Sequence, residues 1–234
     1  SFTRTLENTQ TNNLMIVMSV NREKTEKDSK TESLCNNLLE LMANSYNIKR
    51  PVLSFVYSNS NTSFLINESL RTIKSKLGYI PFFITIANDD VNFTKYSLKY
   101  LERGSNTDFL ITKELMKSNN PSFDLEDYSE ELTVGFTGPC GNYFSGDQYI
   151  EYTEKIEEIG LDKWATEWHK SNLGSYLLTK DLSFDCITIT KECIESLWIE
   201  DQDGLLDETL TNYFYDKDFF TRAYKNNFLG TVST

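Results

Sequence analysis

The sequence predicts an α/β fold, with a mixed or parallel sheet covered by helices in residues 1–117 and a mainly helical, acidic region in residues 118–234 packed on it as one globular unit. Three observations point there. Strand-length apolar runs stand at residues 14–20 (LMIVMSV), 51–57 (PVLSFVY) and 81–87 (PFFITIA). The segments between them carry apolar residues at helical period, and strands that are apolar throughout, alternating with amphipathic helices, are buried on both faces. After Lys117 the polar, acidic stretch SNNPSFDLEDYSEE interrupts this alternation, as a boundary or long surface loop does.

The elements can be placed in chain order. The charged run NREKTEKDSK leads from the first strand to a helix that Ser29 and Glu32 open with capping-box spacing, and Leu34, Leu38, Leu41 and Met42 lie on one face of it. A second helix from about Ser63 carries Ile66, Leu70, Ile73 and Leu77, and Gly78 comes next as its stop. A helix over residues 96–101 and a short strand over 108–112 complete the first half. In the second half a strand is expected over 133–137. Ser145 and Gln148 have capping-box spacing and open a helix with Tyr149, Ile150, Thr153, Ile156 and Ile159 inward and Gly160 as stop. Asp162 caps the next helix, which sets Trp164 and Trp168 one turn apart. A strand over 184–189, a helix over 191–198, and one or two helices between 205 and 229 finish the chain.

Residues 14–112 resemble the thioredoxin-like fold in their order of strand, helix with Cys35 near its start, strand and helix, with Gly78-Tyr79-Ile80-Pro81 opening a strand where that family has its cis-proline. The chain departs from the family in lacking a Cys-x-x-Cys pair, so the resemblance implies a binding scaffold and not an oxidoreductase.

Composition narrows the function classes. The 234 residues carry 15 Phe and 13 Tyr, too much ring surface for a disordered chain, and the net charge is −12. That charge is uneven: residues 1–117 hold 15 Lys and Arg against 12 Asp and Glu, net +3, and residues 118–234 hold 8 against 23, net −15. Nucleic-acid binding is therefore disfavoured for the second half. No apolar stretch approaches the roughly 18 residues of a membrane span, and the first residues lack the apolar run of a signal peptide. The four cysteines, Cys35, Cys140, Cys186 and Cys193, form no Cys-x-x-Cys or zinc spacing and read as reduced thiols. Together these predict a cytoplasmic protein, or one secreted with its leader removed. Three Asn-x-Ser/Thr sequons, at Asn61, Asn67 and Asn92, are about what such a composition yields by chance.

Two chemistries and one binding surface suit the residues present. Cys140, in the tight Gly138-Pro139-Cys140-Gly141 turn before a predicted helix, is the candidate nucleophile, with His169, the single histidine, as base and Asp147 or Asn142 as orienting group; this is the pattern of a cysteine-dependent hydrolase. His169 with a glutamate also suits metal-free RNA cleavage, which the surrounding negative charge opposes. Asp201, Asp203, Asp207 and Glu208 around Gly204 fail the EF-hand spacing and read as an acidic turn, while Asp89 and Asp90 read as a helix cap; no metal and no cofactor is expected. The leading reading is a binding protein. Aromatics Trp164, Trp168 and Tyr152 are interleaved with Glu154, Glu157 and Glu158, and this mixture supplies anchors and steering toward a basic protein partner, as an acidic inhibitor, antidote or immunity-type protein has.

Overall fold

The computed structural model describes residues 17–22, 33, 36, 37, 40, 52–57, 61–88, 91, 97–105, 132–141, 144, 146–151, 154–172, 176–210 and 214–233. They fall into two compact units, one drawn from Pro81–Leu197 and Phe220–Thr234, the other from Gln10–Ile80 and Trp198–Phe219. Among the described residues the divisions between them lie at 80/81, 197/198 and 219/220.

In the second of these units, β1 (Val17–Arg22) and β2 (Val52–Tyr57) pair in parallel, Val17 opposite Val52 through Arg22 opposite Tyr57, and helix α1 (Thr62–Leu77) packs on both. Parallel strands require a crossover between them, and the helical, exposed positions Ser33, Asn36, Asn37 and Glu40 lie in that connection. Those four alternate with Leu34, Leu38, Leu41 and Met42, the expected inward face, which is outside the described residues. Helix α1 begins one residue before its expected start. Asn61 is its N-cap, accepting from the Phe64 amide, and Gly78 ends it in the left-handed region (φ 78°) with its N–H bonded to the Lys74 carbonyl.

The other unit holds a five-stranded sheet in the order β3-β6-β4-β7-β5, formed by β3 (Phe83–Ala87), β4 (Thr133–Pro139), β5 (Tyr176–Thr179), β6 (Cys186–Thr190) and β7 (Phe228–Ser233). The sheet is mixed: β4 and β7 run parallel, and the other neighbours are antiparallel. Four of its five strands come from beyond residue 117, so the second half is the main source of the sheet, although its described helical residues still outnumber those in strands. Two strands were not expected. Strand β5 has only four residues, and β7 contains Gly230, a residue that weakens a strand on propensity alone. Its reason is steric: a Cβ at Gly230 would overlap the Phe136 ring of neighbouring β4.

Adjacent residues of β4 point to opposite faces, and each face has its helix. On one side Thr137 meets α2 (Ser97–Ser105): Ser105 Oγ donates to Thr137 Oγ1 at 2.9 Å, and Thr137 bonds Thr231 of β7 at 2.8 Å. On the other, Phe136 lies 5.0 Å from the Phe220 ring of α5 (Tyr215–Lys225), which also meets Phe184. Covered on both sides, the central strands are apolar and buried, as Ile187, Ile189, Phe136 and Leu229 are. Strand β3, expected as a continuous buried run, is instead an edge strand in which only Ile84 is fully buried. The thioredoxin-like expectation of one sheet is not met, since β1 and β2 form one sheet and β3 belongs to the other. Among the described residues no peptide bond is cis, that of Pro81 included.

Gly230→Ala is expected to cost about 1–3 kcal/mol in urea unfolding, because the added methyl must displace a fully buried ring. Phe136→Leu in that background should recover part of the loss; a double variant no better than the sum of its parts would separate the two residues.

Candidate functional site

Cys140 comes directly after the last residue of β4, and its amide bonds the Ser233 carbonyl of β7 at 3.3 Å. The loop after it turns back at once: Gly141 pairs with Tyr149, and buried Gln148 donates to the Pro139 carbonyl at 2.9 Å while its Oε1 accepts from the Ser183 amide. The loop carries a three-residue 3-10 turn, Gly146–Gln148, in place of the long helix expected from Ser145. Helix α3 starts only at Glu154 and runs to Ile159. The helix dipole that was to activate the thiol therefore has no source in this loop. Burial acts the other way and pushes the Cys140 thiol up to about 11. Asp147 is exposed in the 3-10 turn, and Asn142 is outside the described residues.

His169 lies in the last turn of α4 (Leu161–Ser171), half-buried, with its ring centroid 3.9 Å from that of Tyr100 on α2. The imidazole is thus packed on a half-buried ring of α2. Neither Cys186 nor Cys193 offers a better nucleophile, since burial raises both thiols, Cys186 to about 12.

Helices α3 and α4 carry five of the six residues expected to bind a partner. Gly160 links them in a left-handed conformation: its N–H bonds the Ile156 carbonyl, and its carbonyl accepts from Trp164. It is Gly160, and not Asp162, that occupies the N-cap of α4; Asp162 sits in the first turn, where its charge still favours the helix dipole. Glu154, Glu157 and Glu158 are exposed on α3, with Ile156 turned inward. Lys155 Nζ reaches Glu167 of α4 at 2.9 Å, and that contact holds the Glu167 carboxyl below its ordinary range. Trp164 and Trp168 stack at 5.4 Å and 21°, both half-buried. The indole nitrogen of Trp168 is enclosed and has no hydrogen-bond partner among the described residues. Tyr152 is outside the described residues. Residues 151–171 carry six Asp and Glu against three Lys.

A second polar centre was missed by sequence reasoning. Asn67 on α1 is fully buried, and its amide reads the backbone of a segment almost 140 residues away. Oδ1 accepts from the Leu205 and Leu206 amides at 2.9 and 3.0 Å; Nδ2 donates to the Leu206 carbonyl at 2.7 Å and to Glu208 Oε1 at 2.9 Å. One and two turns further along α1, Arg71 bonds the carbonyls of Gln202 and Asp203 and the carboxylates of Glu68 and Glu208, and Lys74 bonds Asp203 at 3.2 Å while lying 4.5 Å over the Trp198 ring. The acidic turn is thus organised by a helix, with Asp207 in turn accepting from Thr209 and Gln202. Among the described residues no group of three or more His, Cys, Asp or Glu is placed to hold a metal ion; Asp89 and Asp90 are outside them. The legible signal was Asn67 itself, a polar residue three positions before Leu70 on the inward face of α1.

The architecture is that of a mixed α/β protein, and among the described residues no helix is long and apolar enough to cross a membrane. Comparison with protein-family models, with curated proteins and with solved structures finds no match.

At neutral pH, alkylation of Cys140 should run roughly 100-fold slower than for an ordinary thiol, because the reactive thiolate is that much scarcer. Residue-resolved mass spectrometry after iodoacetamide pulses measures this, and fast labelling with a midpoint below neutrality would restore the nucleophile. For the second centre, Lys74 holds the Asp203 carboxyl below its ordinary value of 3.8. A depressed carboxylate stabilises the fold above its unfolded pKa, and this contribution is lost as pH falls through the folded value. Trp198 emission should therefore change as pH drops below about 4, and Asp203→Asn should remove that transition. An identical titration in the variant would show that Asp203 does not report on the ring.

Proposed function

We propose that the chain is a protein-binding module, an acidic inhibitor, antidote or immunity-type protein that neutralises a basic partner such as a toxin or nuclease, and that it acts in the cytoplasm. The observation that carries this reading is the set of exposed carboxylates Glu154, Glu157 and Glu158 on one short helix, whose only lysine, Lys155, is engaged with Glu167 of α4. Charges left exposed on one face create a field that draws in and orients a cationic surface before contact. The net −15 of residues 118–234 supports the same sign of partner. The stacked Trp164 and Trp168 on α4 supply rigid aromatic area of the kind that anchors interfaces once the encounter has formed. A half-buried Cys140 thiol, pushed up to about 11 by desolvation, and an imidazole packed on Tyr100 favour binding over hydrolysis.

Association with a basic protein isolated by pull-down on the immobilised chain should be strongly salt-dependent, and Glu154→Gln, Glu157→Gln and Glu158→Gln together should lower the on-rate about 10-fold at low salt with a smaller effect on the off-rate. Surface plasmon resonance across a salt series reads both. Salt-independent association, or an unchanged on-rate in the triple variant, would remove α3 from the interface; Cys140→Ala should leave binding unchanged.

A further inference from the structure

The sequon Asn67-Glu68-Ser69 places an N-glycosylation motif on the one asparagine of α1 that is completely enclosed. In N-glycosylation the Asn amide nitrogen forms a bond to C1 of a sugar carried on a lipid pyrophosphate. It gives up one proton, and the lipid pyrophosphate leaves. The product has one N–H where there were two, and a bulky sugar that requires open solvent.

Neither condition is met at Asn67. Both hydrogens of Nδ2 are committed, one to the Leu206 carbonyl at 2.7 Å and one to Glu208 Oε1 at 2.9 Å. The amide also lies so close to the Gly204 backbone that a single Cβ there would overlap it. A sugar needs many times that volume. Asn61 repeats the pattern, its Nδ2 donating to the carbonyls of Glu208 and Leu210 at 2.9 Å each, while its Oδ1 caps α1. The transferase acts on open chain, so a chain passing through a glycosylating compartment meets it before Asn67 is enclosed.

We infer that a glycan on Asn67 and the folded α1 with its 204–208 segment exclude one another, so that the functional chain is one whose Asn67 never carries an N-linked sugar. The inference does not depend on the proposed partner.

The test places the full chain behind a cleavable signal sequence in glycosylating microsomes. Ser69→Thr strengthens the acceptor at Asn67, and Thr62→Pro and Thr94→Ala silence the other two sequons. Thr62 is the first residue of α1 and Asn61 before it is extended (ψ 169°), so proline fits at that position. Limited proteolysis then compares the glycan-bearing band with the unmodified band of the same reaction. The glycan-bearing chain should be cut at least about 10-fold faster, as an open form is. Equal resistance of the two bands overturns the inference. If folding outruns the transferase and the parent stays unmodified, a Gly204→Val chain, which cannot enclose Asn67, should acquire the glycan in the same background, and this gives the same exclusion. Equal occupancy in both chains, with the parent still resistant, overturns it.

Discussion

A primary amide buried without water must satisfy two donors and two acceptor positions, or lose about 1–3 kcal/mol for each that goes unpaired. Asn67 meets that demand from one segment alone, residues 205–208, and in doing so fixes where that segment runs. Much else in this unit depends on it. With Leu205 and Leu206 held by their own amides, their side chains are fully buried. With Glu208 held by Asn67, its carboxylate is in place for Arg71 at 2.6 Å. The glycine at 204 is required for the close approach of the backbone to the amide, not for a positive φ; the left-handed residue of the turn is Asp203 at φ 43°. A run of carboxylates that would repel one another in isolation is held by a helix with three cationic or amide groups spaced about one turn apart, at 67, 71 and 74.

The other unit depends on a pairing of similar sequence range. Strand β7 lies between β4 and β5, so the edge strand β5 has no partner in the sheet until the last strand arrives. Its partner β4 is parallel to it, with Thr137 and the Thr231 it pairs with 94 positions apart, and non-local parallel pairing of this kind is slow to form because the loop entropy must be met before the contacts reward it. The buried hydroxyls of Ser105, Thr137 and Thr231 form a chain across this junction, each bonded to the next, and Thr231 also donates to the Gly104 carbonyl at 3.3 Å. A polar chain in an otherwise apolar layer tolerates only the register that satisfies every member, and so specifies how β4 and β7 meet.

These two long-range dependences set how much of the molecule was legible in the sequence. Elements whose signal is local were found close to their true limits: α1 from its Ile66 and Leu70 period and its Gly78 stop, β2 and β6 from their mostly apolar, β-branched or aromatic runs, the end of α3 at Gly160. Elements whose justification lies elsewhere in the chain were not. Gly230 weakens β7 when read alone and makes sense only beneath the Phe136 ring. The pairing of Ser145 with Gln148 imitates a capping box, but Gln148 spends its side chain on Pro139 and Ser183, leaving a 3-10 turn where a helix was expected. The candidate site divides in the same way. The exposure of Glu154, Glu157 and Glu158 could be anticipated from the apolar Ile156 and Ile159 beside them, whereas the Asn67 centre required knowing that residues 67 and 206 meet.

The fate of Cys140 shows why a local pattern misleads about chemistry. A cysteine flanked by glycine and proline ahead of a helix is the arrangement in which a thiol is exposed and its thiolate stabilised. Here the same residues serve a different geometric purpose. Gly138 lies against the Gln148 side chain and Leu182, where a Cβ would collide, and Pro139 offers its carbonyl to Gln148 in a strand end that needs no amide from it. Closing this loop on itself leaves Cys140 half-buried, and the partial loss of solvent disfavours the charged form whatever the neighbouring sequence. The feature that suggested reactivity is thus what packs the loop, and packing is what suppresses the thiolate. On α3 the opposite holds: six residues with one buried side chain leave little to pack, so the charges stay in solvent and act at a distance.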